Sequence, residues 1–168
     1  MLRLVRSRSF PLAALALSVA ACGSATPAPT EAKAPTPAAE TPGAACLRTA
    51  DAQRTRNPKE PDHVGLKQIL VKYTGAKNAP ASITRSREDA CLRAMEARDK
   101  LRGGADWDAV VKDYSDETGA ATRGGLVGRV ERKELVPSVA DAAFELDLST
   151  LSDVVESPFG FHLVFRTE

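Results

Sequence analysis

The sequence predicts an α+β domain over residues 62–168, in which helices are interspersed with the strands of a mainly antiparallel sheet. Two observations carry this prediction. Segments with helical spacing lie between short apolar runs that are typical of strands, and the tight turn SPFG joins the last two strands, which favours antiparallel pairing. The chain has 168 residues, 43% of them hydrophobic, and a net charge of +1. This composition suits one globular domain with additional sequence, and it gives no broad electrostatic basis for binding nucleic acid.

The first half of this domain is predicted to contain one strand and two helices. The apolar run LKQILVKY, which ends at Tyr73, has the length and composition of a buried strand. Ser86 and Asp89 then form a near capping box, with Asp in place of the usual Glu or Gln, and predict a helix that ends at Gly103. Asp106 is a suitable N-cap for a second helix, whose apolar face lies in WDAVVKDY.

The second half is predicted to contain three strands and one helix. A turn-like segment, SDETGAATRGG, leads into a short strand at residues 126–130. A helix with a buried face follows at residues 138–146. Two short strands, at residues 153–156 and 161–166, close the chain on either side of the SPFG turn.

The N-terminal residues resemble a bacterial secretion signal. MLRLVRSRS contains three arginines and no acidic residue, and the apolar run FPLAALALSVAA is too short to span a bilayer. The sequence VAAC, which ends at Cys22, resembles a lipobox, in which the cysteine is lipidated and becomes the new N-terminus. We therefore predict a signal peptide at residues 1–21 and a lipid anchor at Cys22; the alternative is an ordinary signal peptide with a chance cysteine. Gly23, in place of an aspartate after the cysteine, favours the outer membrane over the inner one.

Residues 22–61 are predicted to form a lipidated, disordered tether, because the Ala, Pro, Thr and Glu that dominate most of this stretch cannot bury a core. The polar stretch from Cys46 to Pro61 is assigned no fold. Cys46 and Cys91 either pair in an oxidising periplasm or stay apart, and the sequence leaves both possibilities open. The spacing of the three cysteines matches no zinc or CxxC pattern, so no metal site is predicted.

Five blocks of the sequence resemble, in order, the parvulin family of peptidyl-prolyl cis/trans isomerases. They are LKQILVKY, ITRSREDA, WDAVVKDYSDETGAATRGGLVG, LVPSVADAAFEL and SPFGFHLVFRTE. Together they cover nearly all of residues 64–168. The resemblance implies a four-stranded, mainly antiparallel sheet surrounded by helices, with the element order β-α3-β-α-β2, in which three helices follow the first strand. It also implies an enzyme that rotates X-Pro bonds without a nucleophile, metal or cofactor, since this rotation breaks no covalent bond.

The resemblance implies an apolar pocket for the proline ring and a polar network beside it. Leu135 and Val139 stand where relatives usually carry Met and Phe, and Val127 stands where relatives carry Leu. Phe159, in the last turn, is also predicted to bind the substrate. Leu135, Val139 and Val127 could instead be plain core residues.

The polar network is predicted to contain four residues with catalytic roles. His162 matches the histidine of the family's closing strand, which holds the hydrogen bonds of the site and does not act as a base. Gln68 replaces the first-strand histidine, and it can donate and accept hydrogen bonds but cannot become charged. Glu117 stands where relatives carry Asp or Cys, and a carboxylate there could destabilise the planar amide electrostatically. Ser157 matches a position that usually carries a hydroxyl group.

Substrate preference is predicted from the loop after the first strand. Pin-type relatives bind a phosphate there through a basic cluster, whereas this chain offers Lys72 and Lys77, with Asn78 in place of an arginine. The expected substrates are therefore general X-Pro bonds, with a preference for an acidic residue before the proline. The expected partners are proline-containing extracytoplasmic polypeptides and a membrane, but no nucleic acid, and the chain is expected to be a monomer.

Two hypotheses for function follow from these predictions. The first is a periplasm-facing isomerase that assists the folding of secreted or outer-membrane proteins. The alternative is a chaperone or peptide-binding module that keeps the parvulin groove but has lost turnover. A lipoprotein with a purely structural role would leave the pocket-like segments unexplained.

Overall fold

The computed structural model describes residues 40–168, so the predicted signal peptide and the predicted lipidation site at Cys22 lie outside the described residues. None of the helices in residues 40–168 is both long and apolar enough to cross a membrane. The elements, in chain order, are α1 Pro42–Ala50, β1 His63–Val71, α2 Arg87–Arg102, α3 Trp107–Tyr114, β2 Leu126–Glu131, α4 Pro137–Glu145, β3 Val155–Ser157 and β4 Gly160–Arg166. Two short 3-10 turns, Ala121–Arg123 and Arg132–Glu134, flank β2.

The four strands form one sheet with the order β2-β1-β4-β3, and every neighbouring pair is antiparallel. The predicted α+β class and the predicted four-stranded sheet are both confirmed, but two α-helices and a short 3-10 turn lie between the first two strands in place of the three predicted helices. β1 and β4, the two longest strands, occupy the centre and pair over six positions, from Leu66 opposite Arg166 to Val71 opposite Phe161. The central strands are therefore the ones that can carry buried residues on both faces of the sheet.

The two faces of the sheet support separate apolar clusters, because side chains alternate along each strand. α1, α2 and α3 cover one face, and the sheet contributes to it the buried side chains of Ile69, Val71, Phe161 and Leu163. α4 covers part of the other face, where the sheet contributes Val64, Leu66, Val155 and Val164. The face beneath α4 also carries the polar residues of the candidate site.

The predicted helix caps are confirmed at two helices. The Ser86 hydroxyl accepts a hydrogen bond from the Asp89 backbone N–H at 3.1 Å, and the Asp89 carboxylate accepts one from the Ser86 N–H at 3.4 Å. The Asp106 carboxylate accepts one from the Ala109 N–H at 2.9 Å. These bonds satisfy backbone donors that have no partner within the first turn of a helix.

The prediction of a disordered tether through residue 61 is wrong for its last part. Residues Pro42–Ala50 form α1, which has Thr41 as its N-cap and Pro42 in its first turn. Cys46 and Ala50 are buried against α2 and the sheet, and a disulfide joins Cys46 to Cys91 with 6.0 Å between their Cα atoms. The open question of cysteine pairing is thereby answered. A nine-residue helix is marginal by itself, so α1 depends on this tertiary and covalent attachment.

Ion pairs hold the segment between α1 and β1 to the opposite side of the sheet. Arg54 contacts Glu145 at the end of α4, with 3.0 Å between Nε and Oε1. Glu60 accepts a hydrogen bond from Arg132 at 2.8 Å, and Arg132 in turn contacts Asp141 of α4 at 2.5 Å. The segment therefore passes from the α1 side to the α4 side, and the folded unit begins near Thr41 rather than at residue 62.

Candidate active site

A line of polar side chains lies on the face of the sheet that α4 covers only in part. In β4 the side chain of His162 lies on the same face as that of Val164, and in β1 Gln68 lies on the same face as Leu66. In β3 Ser157 lies on the same face as Val155, which is opposite His162 in the register. Three neighbouring strands thus place Gln68, His162 and Ser157 side by side.

Hydrogen bonds join the four predicted catalytic residues into one chain. The Gln68 amide nitrogen donates to Glu117 Oε2 at 3.0 Å, and Gln68 Oε1 lies 3.2 Å from His162 Nδ1. His162 Nε2 lies 2.7 Å from Ser157 Oγ, which also accepts a hydrogen bond from the Phe159 backbone N–H at 3.1 Å. The predicted grouping of these residues is therefore present in the structure, and the chain of bonds links β1, β3 and β4.

The direction of these hydrogen bonds follows from the carboxylate at one end. An ionised Glu117 can only accept, so the amide nitrogen of Gln68 must face it and the amide oxygen must face His162. His162 then carries its proton on Nδ1 and donates it to Gln68, which leaves Nε2 as the acceptor for the Ser157 hydroxyl. Glu117 thus sets the tautomer of a histidine that it does not touch.

His162 is neutral in this arrangement. Its side chain is buried, with 5% of the residue exposed, and burial lowers the pKa of the imidazole to about 4. The loss of solvation disfavours the charged ring, and the partners found at the two nitrogens suit a neutral one. The residue therefore acts as a fixed link in the network and not as a proton acceptor near neutral pH.

The segment that carries Glu117 is attached to the end of β1. The Asp116 N–H donates to the Leu70 carbonyl at 2.7 Å, and the Asp116 carboxylate accepts from the Lys72 N–H at 2.8 Å. The guanidinium of Arg85 forms an ion pair with the same carboxylate. The hydroxyl of Ser115 accepts from the Leu70 N–H at 3.3 Å. These contacts fix the backbone on both sides of Leu70 and hold Glu117 next to Gln68.

A glycine allows the following loop to reach Gln68. The Gln68 N–H donates to the Gly125 carbonyl at 2.8 Å. Gly125 has a φ of +66°, and a Cβ atom at this position would lie 2.4 Å from the Gln68 carbonyl oxygen. A larger residue would therefore separate this loop from β1.

Arg123, which is not among the residues predicted from the sequence, also contacts the network. Its Nη2 lies 2.6 Å from Glu117 Oε1, so the carboxylate is held by an arginine on one side and by Gln68 on the other. Because the charge of Glu117 is paired, its main effect is to orient Gln68. In the sequence, the one indication of this role is that Arg123 lies just before Gly124 and Gly125, in the turn that leads to β2.

The apolar side of the site begins at a bulge in β2. Leu66 pairs with Gly128 whereas Lys67 pairs with Leu126, so Val127 is the extra residue, and bulges of this kind turn a side chain in a new direction. Val127 and Leu135 are half-buried and pack against the cluster under α4. The half-buried state leaves both of them partly accessible to a ligand.

The comparison with known protein families decides the identity of the fold. Residues 69–168 match the Rotamase family, described as the PPIC-type PPIase domain, and this match covers more than half of the chain. The chain belongs to this family.

Individual relatives agree with this assignment. The chain is 35% identical over 111 residues to the Drosophila melanogaster protein dodo, a match that covers 63% of this chain and 66% of dodo. It is 35% identical over 75 residues to foldase protein PrsA 4 of Bacillus cereus, covering 45% of this chain and 27% of the foldase. The crystal structure of the PPIase domain of TbPAR42 is similar with a TM-score of 0.53 and 28% identity, covering 62% of this chain and 99% of that one. The parvulin-like fold is thereby confirmed, whereas the chain spans less than two thirds of the two curated relatives.

Two predicted substrate-binding residues of this PPIC-type domain lie in the interior. Val139 belongs to the core cluster under α4 and is only 3% exposed, so it supports the pocket wall from behind and does not present a surface to a proline ring. Lys72 is 8% exposed, and its ammonium group donates to the Asn78 carbonyl at 2.9 Å. It therefore stabilises its own loop. The apolar stem of the lysine explains why burial is tolerated once the charged end has a partner.

The two remaining predicted substrate-binding residues, Lys77 and Phe159, lie together beside Ser157. The Lys77 N–H donates to the Pro158 carbonyl at 2.7 Å, and its ammonium group lies 5.2 Å from the centre of the Phe159 ring. Lys77 is exposed and Phe159 is half-buried. They form a rim where an apolar ring and a cation are both available to a peptide.

Removing the amide of Gln68 is expected to destabilise the domain. In Gln68→Met a side chain of similar length leaves the buried Nδ1–H of His162 without an acceptor, which should lower the free energy of unfolding by about 1–3 kcal/mol. Urea denaturation measures this difference. Gln53→Met, at an exposed glutamine, is the matched control and should change stability little. Equal stability of both variants would contradict the role of Gln68 as the partner of His162 Nδ1.

Mild acid is expected to destabilise the domain through His162. Its pKa is 6.5 in the unfolded chain and about 4 in the folded one, so below pH 6.5 the unfolded state binds more protons. The free energy of unfolding should fall between pH 6.5 and 4, by up to about 1.4 kcal/mol per pH unit. Urea denaturation at pH 7, 6 and 5 should show this loss in the native protein and in His63→Asn. The loss should be absent in His162→Asn; an equal slope in that variant would assign it to other groups.

Proposed function

We propose that this protein is a peptidyl-prolyl cis/trans isomerase that acts without covalent chemistry on X-Pro bonds of extracytoplasmic polypeptides and so assists their folding. The observation that carries the proposal is the hydrogen-bonded chain from Glu117 through Gln68 and His162 to Ser157. It lies on the same face of the sheet as the half-buried Leu135 and Val127. A polar network beside an apolar surface suits a proline, whose ring is apolar and whose preceding amide is polar.

Such a site can accelerate rotation without reacting with the substrate. The barrier of about 18–20 kcal/mol comes from amide resonance, and a catalyst lowers it by binding the twisted amide more tightly than the planar forms. Leu135 and Val127 would hold the proline ring, and Ser157 would fix the polar end of the site next to the rotating bond. Because Arg123 pairs with Glu117, we assign to this carboxylate the orientation of Gln68 rather than a direct field on the substrate carbonyl.

The residue before the proline would meet the rim formed by Lys77 and Phe159. The neighbouring cations have partners: Lys72 donates to Asn78, and Arg85 pairs with Asp116. Arg87 is likewise held by carboxylates of Glu156 and Asp51. Recognition of a phosphate usually uses several converging arginine or lysine side chains, whereas Lys77 contributes a single exposed charge here. We therefore propose general X-Pro substrates with a modest preference for an acidic preceding residue.

The proposed location is the periplasm, with a lipid at Cys22 as the anchor. The lipobox-like sequence supports the anchor, and the disulfide between Cys46 and Cys91 supports an oxidising compartment, since such bonds are rare in the cytosol. Gly23 favours the outer membrane. Residues 23–41 separate the anchor from α1, and nineteen residues could reach at most about 65 Å when fully extended.

An isomerase assay tests the proposed activity. The purified protein is mixed with X-Pro peptides that carry an acidic, neutral, basic or phosphorylated residue before the proline, and the rate of isomerisation is followed. We expect acceleration across the panel, greatest for the acidic peptide. Leu135→Ala should lower kcat/KM roughly tenfold, because it removes about 1–2 kcal/mol of contact with the proline ring.

Leu148→Ala provides the matched control, since Leu148 is 61% exposed and lies outside the proposed pocket. An equal loss in both variants would contradict the pocket assignment. Binding of the peptides without any acceleration would replace the enzyme by the alternative, a chaperone or peptide-binding module that uses the same groove.

The anchor is tested by changing the cysteine. Cys22→Ala should move the protein from the membrane fraction to the soluble fraction of the cell and abolish the incorporation of labelled fatty acid. Thr26→Ala, four residues further on, should leave both unchanged. Incorporation of the label in Cys22→Ala would contradict the proposed lipidation site.

A further inference from the structure

A second concave surface, unrelated to the proline site, lies on the face of the sheet that α2 and α3 cover. Its apolar lining is formed by Leu101, Trp107, Leu151 and Phe165, with Lys67 and Ser149 at the rim. We call this surface the Trp107 patch. The four apolar residues are half-buried, and the rings of Trp107 and Phe165 pack with 5.5 Å between their centres. The patch is therefore an apolar depression, lined by packed aromatic rings, that remains accessible to solvent.

Two exposed leucines flank the Trp107 patch. Leu126 and Leu148 are the large apolar residues that stand out as exposed in residues 40–168, at 48% and 61%. Leu126 is opposite Lys67 in the register of β1 and β2, which places both side chains on the same face of the sheet. Leu148 directly precedes Ser149 of the rim. Apolar surface gathered around a hollow is typical of an interaction site.

The charge at the rim of the Trp107 patch indicates what it would bind. The ammonium group of Lys67 lies 5.9 Å from the centre of the Trp107 ring, and no carboxylate of residues 40–168 lies within 4.0 Å of it. Arg102, which also borders the hollow, is held by Asp153 at 3.0 Å. Lys67 is thus the cation at this rim that is available to a ligand, and it would attract a carboxylate next to an apolar group.

We propose that the Trp107 patch binds an unfolded polypeptide independently of proline, with an aliphatic or aromatic side chain in the hollow and a neighbouring Asp or Glu at Lys67. The choice of a polypeptide as the ligand rests on the proposed function. The position supports this choice: Trp107 Nε1 donates to the Gly124 carbonyl at 2.8 Å, and Gly125 lies against Gln68 of the proline site. The two sites lie on opposite faces of the sheet, so a client that contacts both would pass around its β2 edge.

Trp107 is the only tryptophan in the chain, so its fluorescence reports directly on the patch. The full-length protein in detergent is titrated with three proline-free, tryptophan-free hexapeptides. The first contains Leu-Phe followed by Asp-Glu, the second Leu-Phe followed by Lys-Lys, and the third Gly-Gly followed by Asp-Glu. We expect a saturable fluorescence change with the first peptide, and at least tenfold weaker binding of the other two.

Reversing the charge at the rim distinguishes specific recognition from non-specific hydrophobic binding. Lys67→Glu should weaken binding of the acidic peptide about tenfold and strengthen binding of the Lys-Lys peptide, since attraction and repulsion of this kind each change affinity severalfold. Lys59→Glu, at an exposed lysine that precedes β1 and does not line the hollow, is the matched control and should bind as the native protein does. Isomerisation of a short neutral X-Pro peptide should be the same in all three proteins.

Several outcomes would overturn the proposal. They are the absence of a saturable change, equal binding of the acidic and the Lys-Lys peptides to the native protein, and a response to detergent micelles or to protein concentration alone. The last outcome would assign the patch to a membrane or to a second copy of the chain. A failure of the isomerase assay with an intact response of Trp107 would instead reject the proposed enzymatic activity and leave the patch in place.

Discussion

His162 is buried in the sheet, and a buried imidazole is stable there only when both ring nitrogens have hydrogen-bond partners. Ser157 provides one partner and Gln68 the other. Gln68 can accept from the ring because its amide nitrogen already donates to Glu117. The requirement that His162 stay neutral and fully paired, together with the carboxylate of Glu117 that can only accept, therefore determines the orientation of each polar group in the network. It also explains why a glutamine can replace a histidine in β1, since a neutral donor and acceptor is all that this position needs.

The segment between α3 and β2 connects this network to the rest of the molecule. Its first residues, Ser115 and Asp116, are hydrogen-bonded to β1 on either side of Leu70, and its last residues approach β1 again at Gly125. The same segment delivers Glu117 to the polar network, and it leads directly into β2, which carries Val127 on the apolar side of the site. Because it is attached at both ends, these groups are already in place before a substrate binds. A catalyst that works by shape and orientation gains most from such preorganisation.

Much of the fold could be predicted because its elements carry strong local patterns. The Ser86 and Asp106 caps fix where two helices begin, and apolar runs fix the central strands. α1 could not be predicted, since PGAACLRTA has little apolar surface and continues an Ala/Pro-rich stretch; its stability comes from Cys91 and from packing on α2. In the candidate site, too, some features could be predicted from the sequence and others could not. Family-like motifs located the four residues of the polar network, whereas the burial of Val139 and the pairing of Lys72 with Asn78 depend on tertiary contacts.

The departures from the family pattern are consistent with an oxidising environment. Where relatives carry Asp or Cys this chain has Glu117, so the network contains no thiol that could be oxidised or form a mixed disulfide. The two cysteines of the folded domain are joined to each other, and closing this loop, with a sequence separation of 45, can stabilise the fold by up to about 4 kcal/mol. A carboxylate held by Arg123 orients Gln68 without redox chemistry, and burial keeps His162 uncharged even in mild acid. The site can therefore keep one arrangement of hydrogen bonds in an environment outside the cytosol, where the cell does not buffer pH or redox potential.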